Sequence, residues 1–305
     1  MEKTLLKIAN TLILNTGTVL KSGLLEGKMG IALYLFYYSQ LNGNKSYHDF
    51  AVELLNEISN ELSKDTISVT FLYGLTGVAW CINHLIENKF IEADEDILED
   101  IDVSLKNISQ SDFLTDIEKE CPFCSKGIYF TEKNDKETVN NILNVLSMQL
   151  SQNTGALPLS YLNSIMYMLL CGCDNPGIRN SLINIIYLKM VDSIKNKQYT
   201  FPDALLLTNL VEQFIQIRDT YFDCKEWEIL LKQLDYDNLA GIFNIGIYDL
   251  IFNRVKSNRS FILSKLETMD IELEINSIVN DVGRNPNLYN GLAGAGLTLI
   301  NYFGE

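Results

Sequence analysis

The sequence predicts an all-α protein, a closed ring of seven helical hairpins, on three observations. Apolar residues fall at helical spacing along the chain, prolines number only 5 in 305 residues, and a glycine-marked phrase recurs ahead of apolar helices. A hydrophobic content of 47% against 21% charged residues is enough to fill a packed core. The repeats run from one end of the chain to the other, so residues 1–305 are expected to form a single domain.

Taken in order, the first segment, MEKTLLKIANTLILN, interleaves polar and apolar residues and offers no small-residue cleavage site, so no export is expected. The phrase LLEGKMGIALYL at 24–35 follows, and the run GIALYLFYY at 30–38 is apolar nearly all round, which marks a helix buried on most sides. From Ser46 to Ser63, Ala51, Leu54, Leu55, Ile58 and Leu62 form one stripe of an amphipathic outer helix. The phrase returns as FLYGLTGVAWCI at 71–82. An acidic run from Glu92 to Asp102 then precedes a helix expected to start near Ile97, with Ile97, Ile101, Leu105 and Ile108 on its inner face. Asp94, Glu95 and Asp96 would there complement the positive end of the helix dipole.

Beyond this point the phrase weakens. Cys124 and Gly127 keep part of it, and Val139, Ile142, Leu143, Leu146 and Leu150 supply the next outer stripe. LPLSYLNSIMYML at 157–169 and FPDALLLTNLVEQF at 201–214 have the apolar character of inner helices without the glycines. Gly241, Asn244 and Gly246 restore part of the phrase, and LYNGLAGAGLTL at 288–299 restores all of it. Starts at Gly27, Gly74, Cys124, Ser160, about Asp203, Gly241 and Gly291 give seven units 36 to 50 residues apart. An open array would end in polar capping repeats, yet the last unit is the most strongly written, so closure of the seventh pair on the first is expected. Three small residues at each helix start, such as Gly74, Gly77 and Ala79, predict backbones crowding a common axis or approaching a ligand.

The net charge, 24 − 39 = −15, repels phosphate backbones and anionic lipid, so neither nucleic acid nor membrane insertion is expected. No apolar stretch approaches the roughly 20 residues needed to span a bilayer. Six cysteines form no disulfide framework, which favours free thiols in the cytoplasm. Cys121 and Cys124 have CxxC spacing suited to redox chemistry or a metal. Cys171 and Cys173 would end a helix that Cys124's neighbour begins, roughly 18 Å away at 1.5 Å per residue, so the four cannot share an ion. Cys81 and Cys224 read as small buried apolar residues, and His48 and His84 as structural histidines. No GxxxxGK[ST], GxSxG, HExxH or GxGxxG motif is present, and two tryptophans, Trp80 and Trp227, are too few for a sugar-stacking cleft.

The three full phrases, with the opening SGLLEGKMGIALYLFYYSQLNGNKSYHDFAVELL and the terminal NGLAGAG, resemble the lanthionine synthetase C-like (LanC-like) family. The resemblance implies an α/α toroid of seven inner and seven outer helices acting in ribosomal peptide maturation. It also implies one zinc ion, held through a WCYG motif in the fourth unit and a CHG motif in the fifth, with another histidine in an AHG motif of the third. There the metal would activate a peptide thiol for addition to a dehydroamino acid. This sequence reads LPLSYLNS, FPDALLLT and PFCSKG at those three places, and His48 and His84 are its only histidines. No metal and no cofactor are therefore expected.

The resulting expectation is a LanC-like accessory protein that holds a ribosomally made precursor peptide, or a peptide-modifying enzyme, at the glycine-lined rim. The residues beside the helix starts would do this: Glu26, Lys28, Tyr73, Thr76, Tyr289 and Asn290, with Arg284 and Asn287 just upstream. Unpaired helix N–H groups there would suit peptide carbonyls or carboxylates. Two alternatives stand beside it. One is a cyclase working without the usual zinc site, by positioning and a base such as Glu26. The other is a structural subunit of a modification complex.

Overall fold

The structure is a computed structural model that describes residues 1–62, 68–94, 97–107, 123–152, 157–194, 200–217, 224–233, 235, 241–252, 259–280 and 285–304. Among the described residues there are fifteen α-helices and no strand. In chain order they are α1 (Glu2–Asn15), α2 (Lys28–Asn42), α3 (Lys45–Leu62), α4 (Leu75–Glu87), α5 (Glu99–Asn107), α6 (Ser125–Glu132), α7 (Lys136–Gln152) and α8 (Leu159–Cys171). There follow α9 (Pro176–Ile194), α10 (Phe201–Gln216), α11 (Lys225–Gln233), α12 (Ile245–Phe252), α13 (Arg259–Thr268), α14 (Ile271–Asn280) and α15 (Leu292–Phe303). The seven helices expected to be apolar are α2, α4, α6, α8, α10, α12 and α15, each beginning within four residues of its expected start. Between them lie the amphipathic helices, the last of which is broken into α13 and α14 where Asp270 Oδ1 accepts from the Leu273 N–H at 3.0 Å and caps a new helix.

The chain forms two compact units. Unit 1 comprises Met1–Ile108, Phe243–Leu250 and Arg259–Glu305. In it α2 buries every residue from Met29 to Phe36, against the stripe Tyr47, Ala51, Leu54 and Ile58 of α3. Gly43, left-handed at φ 68°, closes the turn between them by donating its N–H to Ser39 O at 2.9 Å, and Asn44 Oδ1 then caps α3 through the Ser46 N–H. The last helix, α15, packs on α2 and on α1. Tyr34 joins all three: its hydroxyl donates to Leu5 O of α1 at 2.9 Å, and its ring fills the space where Gly296 of α15 has no side chain.

Unit 2 comprises Ser109–Ile242 and Ile251–Asn258. Its α8 packs against α6, α7, α9 and α10. The expected stripe of α7, from Val139 to Leu150, is buried throughout. Inside, Asn163 of α8 donates to Leu159 O and to Leu206 O of α10. Asn209 donates to Asn163 Oδ1 at 2.8 Å and Gln213 to Asn209 Oδ1 at 3.2 Å, so a chain of amides joins α8 to α10.

One element departs from the pattern read in the sequence. The helix expected to start near Ile97 starts at Glu99, Ile97 is 52% exposed, and Leu98 is buried in its place. Leu98 and Leu105, seven residues apart, set the register, while Glu95, Asp96 and Ile108 lie outside the described residues. The dipole is complemented instead by Glu99, Asp100 and Asp102 in the first turn.

Candidate functional site

The loops before α2, α4 and α15 share one geometry. The first helical N–H turns back to a carbonyl seven residues earlier: Lys28 to Lys21 O at 2.9 Å, Leu75 to Ser68 O at 2.8 Å, and Leu292 to Asn285 O at 3.2 Å. The loop folds over the first turn of its own helix, and the second glycine of each phrase lies beneath it. A Cβ on Gly30, Gly77 or Gly294 would meet the carbonyl oxygen of Leu24, Phe71 or Leu288, in each case six residues upstream. The glycines therefore admit the chain's own backbone rather than a ligand, and the first N–H of each helix is already engaged.

The loops are also bonded to one another in order. Tyr289 N donates to Leu25 O at 3.0 Å, and Leu25 N and Glu26 N both donate to Leu72 O at 2.9 Å. Asn290 N donates to Asn244 Oδ1 at 2.8 Å, and the Asn244 amide returns a bond to Asn290 Oδ1. Thr298 Oγ1 donates to Phe243 O at 2.7 Å and accepts from Gly246 N at 3.0 Å. The starts of α12, α15, α2 and α4 thus form one backbone belt within unit 1.

On this belt Glu26 is paired with Lys21 at 3.0 Å, and the Lys21 ammonium lies 4.6 Å from the centre of the Tyr73 ring. Lys28 reaches Glu61 at 2.8 Å and Glu57 at 3.1 Å on α3, and Ser22 also bonds Glu61. Burial works against the Lys28 charge, but the hydrogen bonds and charges of Glu61 and Glu57 outweigh it and hold its pKa above the ordinary lysine value. Thr76 is fully buried and donates to Val69 O at 2.5 Å. Asn287 offers its carbonyl to Gly294 N at 3.4 Å. Asn290, exposed and left-handed at φ 55°, has its carbonyl bonded by the Asn285 amide. Glu26, Lys28 and Tyr73 are thus gathered around Lys21 and two glutamates that the sequence did not single out. Tyr289 joins them through its backbone, and Thr76 serves its own loop. Glu57 and Glu61 do carry a signal, four apart on the polar face of α3; nothing in the sequence marks Lys21 or Asn244. Arg284 lies outside the described residues, as does Cys121.

Both histidines are packed. His84 Nε2 is 2.8 Å from the Tyr37 hydroxyl and the imidazole stacks on Trp80 with ring centres 5.0 Å apart. Burial pushes His84 down to about 4 and the Tyr37 hydroxyl up, so both are neutral at pH 7. His48 Nε2 bonds Phe90 O at 3.0 Å, and its ring meets the Phe36 ring edge-on.

In unit 2 the helix starts are built differently. Cys124, buried, is the N-cap of α6 and Pro158 that of α8. α10 opens with a capping box in which Thr200 Oγ1 accepts from the Asp203 N–H and Asp203 accepts from the Thr200 N–H. Proline, serine and a carboxylate committed to its own helix do not make a thiolate and imidazole donor set. Among the described residues no three of His, Cys, Asp or Glu come together as a metal site, so the residues present do not fit the zinc ion implied by the resemblance.

The architecture is that of an α-hairpin repeat protein whose buried helices open on glycine-marked loops. The family profile for the lanthionine synthetase C-like proteins matches residues 18–170, half of the chain, and the chain belongs to that family. The matched region ends in α8, so α9–α15 lie beyond it. No curated protein and no solved structure matches significantly. Among the described residues no helix is long and apolar enough to cross a membrane.

Proposed function

We propose that the chain is a ring of seven helix pairs, one domain, serving ribosomal peptide maturation in the cytoplasm by binding a precursor peptide or a peptide-modifying enzyme at the belt of helix starts. Membership of the LanC-like family supports the peptide context. The packing of α15 on α2 supports closure, because it joins the last apolar helix to the first. The observation that carries the accessory role is the content of the helix starts at 157–160 and 200–203: prolines and a capping box stand where a zinc-dependent cyclase needs thiolate and imidazole.

On the belt, Lys21, Glu26, Tyr73 and Asn290 supply an ion pair, an aromatic face and an amide that a peptide backbone can meet. Glu26 as a catalytic base fits less well, since Lys21 stabilises its charged form and so weakens its basicity.

The test is titration of a Ser-, Thr- and Cys-rich precursor peptide, intact and dehydrated, against purified protein with and without a chelator. Expected is a dissociation constant on the order of micromolar, insensitive to chelator and weakened about tenfold by Tyr73→Ala with Glu26→Gln. Thioether formation by the protein alone would replace this reading with the cyclase. No peptide binding together with stable association with a dehydratase would replace it with the structural subunit.

A further inference from the structure

The two accessible thiols among the five described cysteines sit two residues apart. Cys81, Cys124 and Cys224 are buried, while Cys171 is exposed and Cys173 half-exposed. Cys171 is the last residue of α8, and Gly172 caps the helix by donating its N–H to Met168 O at 2.8 Å. Gly172 is pressed on α7, where a Cβ would come within 2.7 Å of Val139 Cγ1, and the Asn140 amide reaches its carbonyl at 3.5 Å. On the other side Cys173 Sγ donates to Asn175 O at 3.5 Å, and Asn175 Oδ1 accepts from Gly177 N and Ile178 N at the start of α9. The tripeptide is therefore held at both ends by helix termini while its sulfurs face water.

We infer that Cys171 and Cys173 form a thiol–disulfide exchange site that takes disulfides of small thiols and of cysteine-containing peptides. Helical geometry places α-carbons two residues apart at about 5.4 Å, inside the roughly 4.4–6.8 Å range that a disulfide bridges. The bridge closes a small ring around one glycine, and strained, exposed disulfides are the labile ones, so the couple turns over rather than locking. A metal is the poorer occupant, because no third His, Cys, Asp or Glu joins the pair among the described residues.

In the reaction, the Cys171 thiolate attacks one sulfur of R–S–S–R′. That S–S bond breaks, R′S⁻ leaves and takes up a proton, and Cys171 carries R as a mixed disulfide. The Cys173 thiolate then attacks the Cys171 sulfur and releases RSH. Two electrons pass from the protein to the incoming disulfide, and the two thiol protons end on the released thiols. The site stands independently of the proposed peptide-binding belt, since its chemistry is read without any partner.

The test uses the native full-length protein with 2-hydroxyethyl disulfide, following released thiol, intact mass and a peptide map. Wild type is expected to release two mercaptoethanols per chain, lose two hydrogens and show a Cys171–Cys173 link. Cys173→Ser should lose the second release and retain one adduct on Cys171. Cys171→Ser should slow the first release at least about tenfold, and the double serine variant should lose the reaction. Stable adducts on both thiols, a link to any other cysteine, or unchanged disulfide consumption by the double variant would overturn the inference.

Discussion

The two units solve the same problem, how to begin a buried helix, in different ways. In unit 1 a loop folds back over the first turn, satisfies the first N–H from seven residues upstream, and bonds to the next loop. That solution demands glycine, because a backbone carbonyl lies where a Cβ would be. In unit 2 the helix begins with a proline N-cap or a Thr–Asp capping box, needs no glycine, and makes its cap bonds within its own first turn. Strong glycine motifs here mark a tightly stitched region of backbone.

The largest expected effect tests this contrast directly. Gly294→Ala should lower stability by about 3 kcal/mol in urea unfolding, since the methyl group would sit on Leu288 O. Ser160→Ala at the start of α8 should change it by less than about 1 kcal/mol. Equal effects would break the comparison.

Unit 1 also holds both histidines, so acid should loosen it first. His84 is held neutral when folded, with its pKa near 4. Its contribution is present above the unfolded value of about 6.5 and is lost as pH falls from there towards 4, about 3 kcal/mol in all. Unfolding of wild type and His84→Gln across that window checks it: the variant should show a shallower decline.

Smaller effects sharpen the picture in unit 2 and on the belt. Thr200→Ala should cost about 1 kcal/mol by opening the capping box of α10, measured by thermal unfolding. Lys21→Met should change stability by no more than about 0.5 kcal/mol, because its ion pair with Glu26 is largely in water, while weakening peptide binding. A large stability loss with unchanged binding would assign the pair to the belt's architecture alone.

Much of the fold was legible. The period of apolar residues located seven buried helices, including α8 and α10, which keep none of the glycines, because burial on all sides leaves a continuous apolar run. The start of α5 was misplaced by two residues because Ile97 and Leu98 are equally apolar, and only packing chooses which one faces inward. The candidate site was legible in part. Glu26, Lys28 and Tyr73 do come together, but the residues that hold them, Lys21, Glu57 and Glu61, look like ordinary surface charges.

By itself the sequence determined the helical class, the order of buried and amphipathic helices, and the loss of the zinc-ligand motifs, since each is a matter of residue type at fixed spacing along the chain. Only the tertiary structure decided what the glycines are for, that the helix-start N–H groups are already bonded, and that Cys171 and Cys173 are the accessible pair. Those depend on which atoms lie within a few ångströms across 40 to 270 residues of sequence, as between Tyr289 and Leu25, and no local pattern encodes that distance.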